Sequence, residues 1–321
     1  MLKTFNEFIY EARGFSETAG EYAALVKKEI DAQLDRYLSF KFKKGYVNFS
    51  PTIKIKNAFS RVSHEAAIQF PIDQIKVLFR IAGIKPDSRG AHTGHYKSNY
   101  NKYKMIRGLD QKINIEILCR IYLPIDQVYK IDRKMLDTYI DDILHHEFTH
   151  ALQDYRDPNF LKNYRLGYMS GISSQMYPEF LNSPKVEEFF NLLYVLTDEE
   201  ISAMSGERRE FRTESEFNSF SGTQFARLGK EYDSLDYFME IRRELKDFGP
   251  DIITNFGKIF VNIYKKSAKK GTQIDSSVIG LESANLKQVL QYFEPYIKSQ
   301  ADKLFRKLSS KISAQGSGGI I

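Results

Sequence analysis

The sequence predicts an α+β protein, with a small mixed β-sheet ahead of a mainly helical half. Three observations carry that expectation. From Ile113 to Leu123 every odd position is apolar, which is the two-residue period of a strand with one buried face. Ile140, Ile143, Leu144, Phe148, Ala151, Leu152 and Tyr155 recur at three- and four-residue spacing, the period of an amphipathic helix. Beyond Phe211 the same helical spacing continues, through Leu235, Phe238, Met239, Ile241 and Leu245, and then Leu286, Val289, Leu290, Phe293, Ile297 and Leu304.

The elements follow in order. Phe5, Phe8, Ile9 and Ala12 make a short amphipathic pattern, and Glu7 and Glu11 interrupt it, so it is not expected to be a secretory signal. Tyr22, Leu25, Val26, Ile30, Leu34 and Leu38 predict a helix from Glu17 to about Phe42. Tyr46–Phe49, Thr52–Lys56 and Ile75–Ile81 read as extended. Gly83 to Gln111 is rich in Gly, Lys, Asn and Tyr and reads as a long loop or exposed hairpin; it holds His92-Thr93-Gly94-His95, read as a polar loop or a flap over the cleft in preference to a pair of metal ligands, since no acid or cysteine stands nearby. The strand ending at Pro124 comes next. Asp137 is expected to cap the helix that follows, and Asp157-Pro158 to end it. A connection from Asp157 to Ser183 leads into a helix over Val186–Leu196. Gly249-Pro250 divides two later helices, and Gln315 to Ile321 has the composition of a frayed tail. The expected organisation is an N-terminal segment over 1–11, a helix and mixed sheet over 12–135, a mainly helical subdomain over 136–310 and a flexible tail over 311–321.

With 321 residues and 42% hydrophobic content, the chain can bury one large core or two moderate ones. The single cysteine, Cys119, cannot form an intrachain disulfide, and no apolar run is long enough to span a bilayer. A soluble protein in reducing surroundings, without a membrane partner, is therefore expected. A formal charge of +6 favours anionic partners, nucleic acid among them. The lysines and arginines are dispersed, however. The local cluster of Lys265, Lys266, Lys269 and Lys270 beside Gly271 reads as a solvated helix end, which leaves nucleic acid as the weakest partner expectation.

The chemistry sits in the predicted helix, at His146-Glu147-Phe148-Thr149-His150, the H-E-x-x-H pattern of a zinc peptidase. At about 100° per residue, His146 and His150 lie about 40° apart on the helical wheel and one turn apart along the axis, so both imidazoles can address one metal ion. Glu147 falls on the flank of that face, where its carboxylate can reach a water without being a ligand. His145 lies about 100° from His146 and reads as structural or exposed.

A catalytic zinc needs a third protein ligand. The metzincin arrangement fails because Arg156 stands where its third histidine would be and Gln153 replaces the turn glycine. Asp154, one turn past His150, suits a supporting acid better than a ligand. Tyr194-Val-Leu196-Thr197-Asp198-Glu199-Glu200-Ile201-Ser202-Ala203 resembles the helix that supplies the metal-binding glutamate in several small gluzincin-like families. That resemblance implies Zn2+ held by His146, His150 and Glu200, with Glu199 the alternative and Glu207, Glu210, Glu214 and Glu216 further candidates. Acids in a helix capped by Thr197 are also expected for purely structural reasons. The resemblance implies a zincin-like fold and a zinc metalloendopeptidase, with Glu147 activating a zinc-bound water to hydrolyse a protein or peptide substrate. Tyr194, Tyr168, Tyr155, Arg208 and His95 are candidates for stabilising the oxyanion. The strand before the helix resembles the zincin edge strand that pairs with extended substrate, and equally reads as a sheet strand without substrate contact.

Met1-Leu-Lys-Thr-Phe5-Asn-Glu-Phe-Ile9-Tyr-Glu11-Ala12 resembles the capsid-targeting leader of internal head proteins in large contractile-tailed phages. This resemblance implies docking to a prohead scaffold, cleavage between Glu11 and Ala12 by a maturation protease, a place inside the virion, and delivery into the host with the genome. The alternative from another class is a non-catalytic internal head protein whose zinc site is structural or vestigial.

Overall fold

One continuous helix, α1 (Phe5–Phe42), takes the place of the short N-terminal pattern and separate helix read from the sequence. The computed structural model describes residues 5–42, 50–84, 91–98, 113–124, 133–156, 166–206, 234–267 and 275–313. The chain divides into two units, Met1–Pro158 with Gly206–Arg209, and Asn159–Ser205 with Glu210–Ile321.

The first unit is built on a four-stranded sheet in the order β1-β2-β4-β3. After β1 (Thr52–Lys56) and the short helix α2 (His64–Gln69) come β2 (Ile72–Ile84), β3 (Ala91–Ser98) and β4 (Ile113–Pro124), followed by α3 (Arg133–Arg156). β1 is antiparallel to β2, β2 is parallel to β4, and β3 is antiparallel to β4. One sequence expectation changes here. The strand ending at Pro124 lies inside the sheet, not at its edge; the edges of the described sheet are β1 and β3, and β3 comes from the segment read as a long loop or exposed hairpin. β3 hid from periodicity because Gly94 and Ser98, on the same face as Tyr96, bring no apolar side chain to the alternation.

The other long strands alternate as a half-buried sheet requires. Ile53 and Ile55, Ile75, Val77, Phe79 and Ile81, and Ile115, Ile117, Cys119 and Ile121 are buried on one face. They pack with Tyr22, Val26, Ile30 and Leu34 of α1 and Leu136, Ile140, Ile143, Leu144 and Phe148 of α3. Each such side chain contributes about 1.5–3 kcal/mol by leaving water. At the rim, Arg133 of α3 reaches Asp31 (2.7 Å) and Asp35 (2.6 Å) of α1, and Lys27 reaches Asp141 (2.7 Å). Arg133 also contacts Asp137 at 2.9 Å, one turn on. Asp137 therefore lies inside α3 as an ion-pair partner, not as its cap, because the helix begins at Arg133.

Tyr22 ties α1 to the segment before β2, its hydroxyl donating to the Phe70 carbonyl while its ring stacks on Phe148 at 5.7 Å. Burial foremost pushes its pKa from 10.0 to about 12. A folded-state pKa above the unfolded one means stability that is complete below about pH 10 and lost as pH rises towards 12. Two units correspond to about 2–3 kcal/mol. In urea titrations between pH 9 and 12, the unmodified protein should lose that much more stability than Tyr22→Phe.

The second unit is helical among its described residues: α4 (Leu166–Met176), α5 (Pro184–Val195), α6 (Asp198–Gly206), α7 (Ser234–Leu245), α8 (Pro250–Thr254), α9 (Phe256–Ser267), α10 (Ser276–Ile279) and α11 (Leu286–Ser313). Its core centres on Phe189, Phe190, Phe260 and Phe293, with Phe190 and Phe260 stacked at 5.8 Å. Gly249, at φ 108°, takes a left-handed conformation open to glycine and, with Pro250 after it, separates the helical segments as the sequence implied. No helix among the described residues is long and apolar enough to cross a membrane.

Candidate metal centre

The apolar stripe of α3 is pressed against the sheet and α1, which turns the adjacent histidine face toward β3. On it, His146 Nε2 and His150 Nε2 face each other at 3.0 Å, their rings nearly perpendicular. Two imidazole nitrogens bound at about 2.0–2.1 Å to one tetrahedral ion would stand roughly 3.3 Å apart, so this pair is close to the spacing of two ligands on one metal ion. Gln153, one turn on, accepts a hydrogen bond from His150 Nδ1 at 2.8 Å. A neutral imidazole that donates through Nδ1 keeps its Nε2 lone pair for a metal. His145, on the other side of the wheel, is buried, and its carbonyl accepts from the Thr149 hydroxyl at 2.8 Å.

Glu147 is only 4% exposed, with its carboxylate laid against the backbone of β3. A Cβ at Gly94 would stand 2.1 Å from Glu147 Oε1 and 2.7 Å from its Cδ. Gly94 is paired across the sheet with Cys119, whose thiol pKa is pushed well up by burial and then by the Glu147 charge. The carboxylate thus rests over the junction of β3 and β4. Two residues along, the Tyr96 hydroxyl donates to Asp154 Oδ2 at 3.1 Å. Burial and then the Asp154 charge raise the Tyr96 pKa well above its usual value, so the phenol remains a donor at neutral pH. Asp154, wholly buried, therefore anchors the edge strand to the histidine helix.

Gly94, Tyr96 and Gln153 were not singled out from sequence. A glycine inside a strand signals close approach by another group, but recognising that signal requires the strand to be recognised first. Among the oxyanion candidates, Tyr155 packs edge-on against Phe70 at 5.6 Å in the core. Alternation along β3 puts His95 on the opposite sheet face from Gly94 and Tyr96. The side chains of Tyr168 and Arg208 lie outside the described residues, as does that of His92.

In the second unit, Glu200 stands in the first turn of α6 and is 3% exposed. That burial separates it from an ordinary solvated acid at a helix start. Its amide donates to the Thr197 hydroxyl at 3.4 Å, as a cap requires, while the Thr197 amide donates to the Tyr194 carbonyl at 3.0 Å. The backbone just before α6 is held by α11, for Tyr296 and Gln300 both donate to the Leu196 carbonyl, at 3.1 and 2.9 Å. Burial raises the pKa of the neighbouring Asp198, but hydrogen bonds from Lys303 and Gln300 outweigh it and lower the value overall. Tyr194 is half-buried near the end of α5, and the Glu199 side chain lies outside the described residues. No protein-family model, curated protein or solved structure matches this chain.

Proposed function

We propose that the protein is a zincin-like zinc metallopeptidase, with His146, His150 and Glu200 as metal ligands and Glu147 as general base. The observation that carries this reading is the facing pair of imidazole nitrogens with a buried carboxylate on the adjoining residue of the same helix. His146, His150 and Glu200 together have the donors a metal ion needs. When bound, zinc supplies Lewis-acid polarisation of a scissile carbonyl and lowers the pKa of water. Glu147 takes the proton from the attacking water and passes it to the leaving amine. Gln153 orients His150, and Tyr96 with Asp154 hold β3 beside the carboxylate. β3 is an edge of the sheet among the described strands, so its outer backbone groups can pair with an extended peptide laid along it.

The leader reading is compatible with α1. Glu11 and Ala12 lie in its first turns, ahead of Thr18, Ala19 and Tyr22, which are buried in the core. Removal of residues 1–11 would leave Thr18, Ala19 and Tyr22 in the chain, and the mature enzyme of a phage head would begin at Ala12.

Zinc content per chain tests the ligand set. Protein beginning at Ala12 should carry about one zinc ion, as three protein ligands and one open position imply. His150→Ala and Glu200→Ala should lose it and Glu199→Ala should keep it. Folded protein without zinc, or Glu200→Ala with undiminished zinc, would overturn the assignment.

A further inference from the structure

The sheet has a second face, opposite α1 and α3. The strand register brings onto it Lys54 and Lys56 of β1, Lys76 and Arg80 of β2, Glu116 and Arg120 of β4, and Lys97 of β3. Six cations thus share one sheet face with a single carboxylate, and Glu116 is already paired with Lys76 at 2.6 Å. Lys54, Lys56, Arg80, Lys97 and Arg120 are exposed, and none of them is ion-paired among the described residues. His95 lies on the same face, opposite Leu118 in the register.

We propose that this outward face binds the phosphate backbone of double-stranded nucleic acid, without reading its sequence. Neighbouring strands are about 4.8 Å apart, so the cations spread over roughly 15 Å. A duplex carries one negative charge per about 1.7 Å of axis and offers several phosphates over that width. The four described strands bring only the His95 imidazole and the half-buried Tyr122 ring onto this face, less than the row of aromatic rings that stacks successive unpaired bases. Leu78 and Leu118 are half-buried between the charged rows, which leaves no apolar wedge for a lipid surface. Charges scattered along the chain are gathered here by strand pairing, independently of any peptidase activity.

The test is fluorescence anisotropy of the full chain with labelled 20-base-pair duplexes of two unrelated sequences, across a salt series starting near 50 mM. Both duplexes should bind equally, with a slope of log affinity against log salt of about −4 to −5 if each unpaired cation meets one phosphate. Arg80→Glu with Arg120→Glu should weaken binding by more than about tenfold and reduce the slope by about two. Lys265→Glu with Lys266→Glu, in the cluster conspicuous in the sequence, should change neither. Thermal melting checks each variant, and Lys54→Gln with Lys97→Gln replaces the first pair if that one unfolds. No duplex binding at the lowest salt would overturn the proposal. So would undiminished affinity in the sheet-face variants, a loss confined to the Lys265 and Lys266 pair, or tighter binding to phosphatidylserine vesicles than to duplex.

Discussion

Glu147→Ala is expected to keep its zinc and to lose peptide hydrolysis by about 10²- to 10⁴-fold, the usual range for removing a positioned general base. The two effects separate because Glu147 is not among the proposed ligands, whereas His146 and His150 face each other without it. The measurement is initial rate on a fluorogenic peptide library, normalised to bound zinc. A variant as active as the parent would remove Glu147 from the chemistry. Stoichiometric zinc in the parent with no hydrolysis of any library member would instead favour a non-catalytic internal head protein with a structural metal.

Gly94→Ala is expected to lower kcat by about 100-fold, because displacing a catalytic group by about 1 Å costs that much. The added methyl would overlap Glu147 Oε1 at 2.1 Å and Cγ and Cδ at 2.7 Å, distances real Cβ atoms essentially never show. The end of the Glu147 side chain must then move, and buried among β3 and β4 it has little room to do so without a cost of about 1–3 kcal/mol. Zinc content should be unchanged, since the methyl is aimed at the base and not at the histidines. Activity within twofold of the parent, with zinc retained, would mean that the carboxylate pose against β3 is not the working one.

Much of the fold was legible where the repeat of the backbone imposes a pattern. Alternation from Ile113 to Leu123 and helical spacing from Ile140 to Tyr155 are consequences of side-chain direction in strands and helices, and both elements form where that pattern lies. The H-E-x-x-H spacing likewise put two imidazoles on one side of α3, and Thr197 was readable as a cap for the helix bearing Glu200. β3 was not legible. An edge strand is held by pairing on one side only, and Gly94 occupies the position where alternation would place a side chain. Asp137 misled for a related reason: a residue suited to capping serves equally as an ion-pair partner, and Arg133 four residues earlier decided the matter.

By itself the sequence determined that Ile75–Ile81 and Ile113–Leu123 are strands and that Ile140–Tyr155 is helical, which faces of these segments are apolar, and that two histidines and a glutamate lie within about one helical turn. Those properties depend on neighbours within a few residues, through backbone geometry repeated along the chain. Only the tertiary structure decided that β3 is an edge, that Gly94 makes room for Glu147, that Tyr96 holds Asp154, and that lysines and arginines from four strands form one basic face. Each of these depends on strand register and on contacts between residues far apart in sequence, where a shift of one residue would turn every side chain to the opposite face.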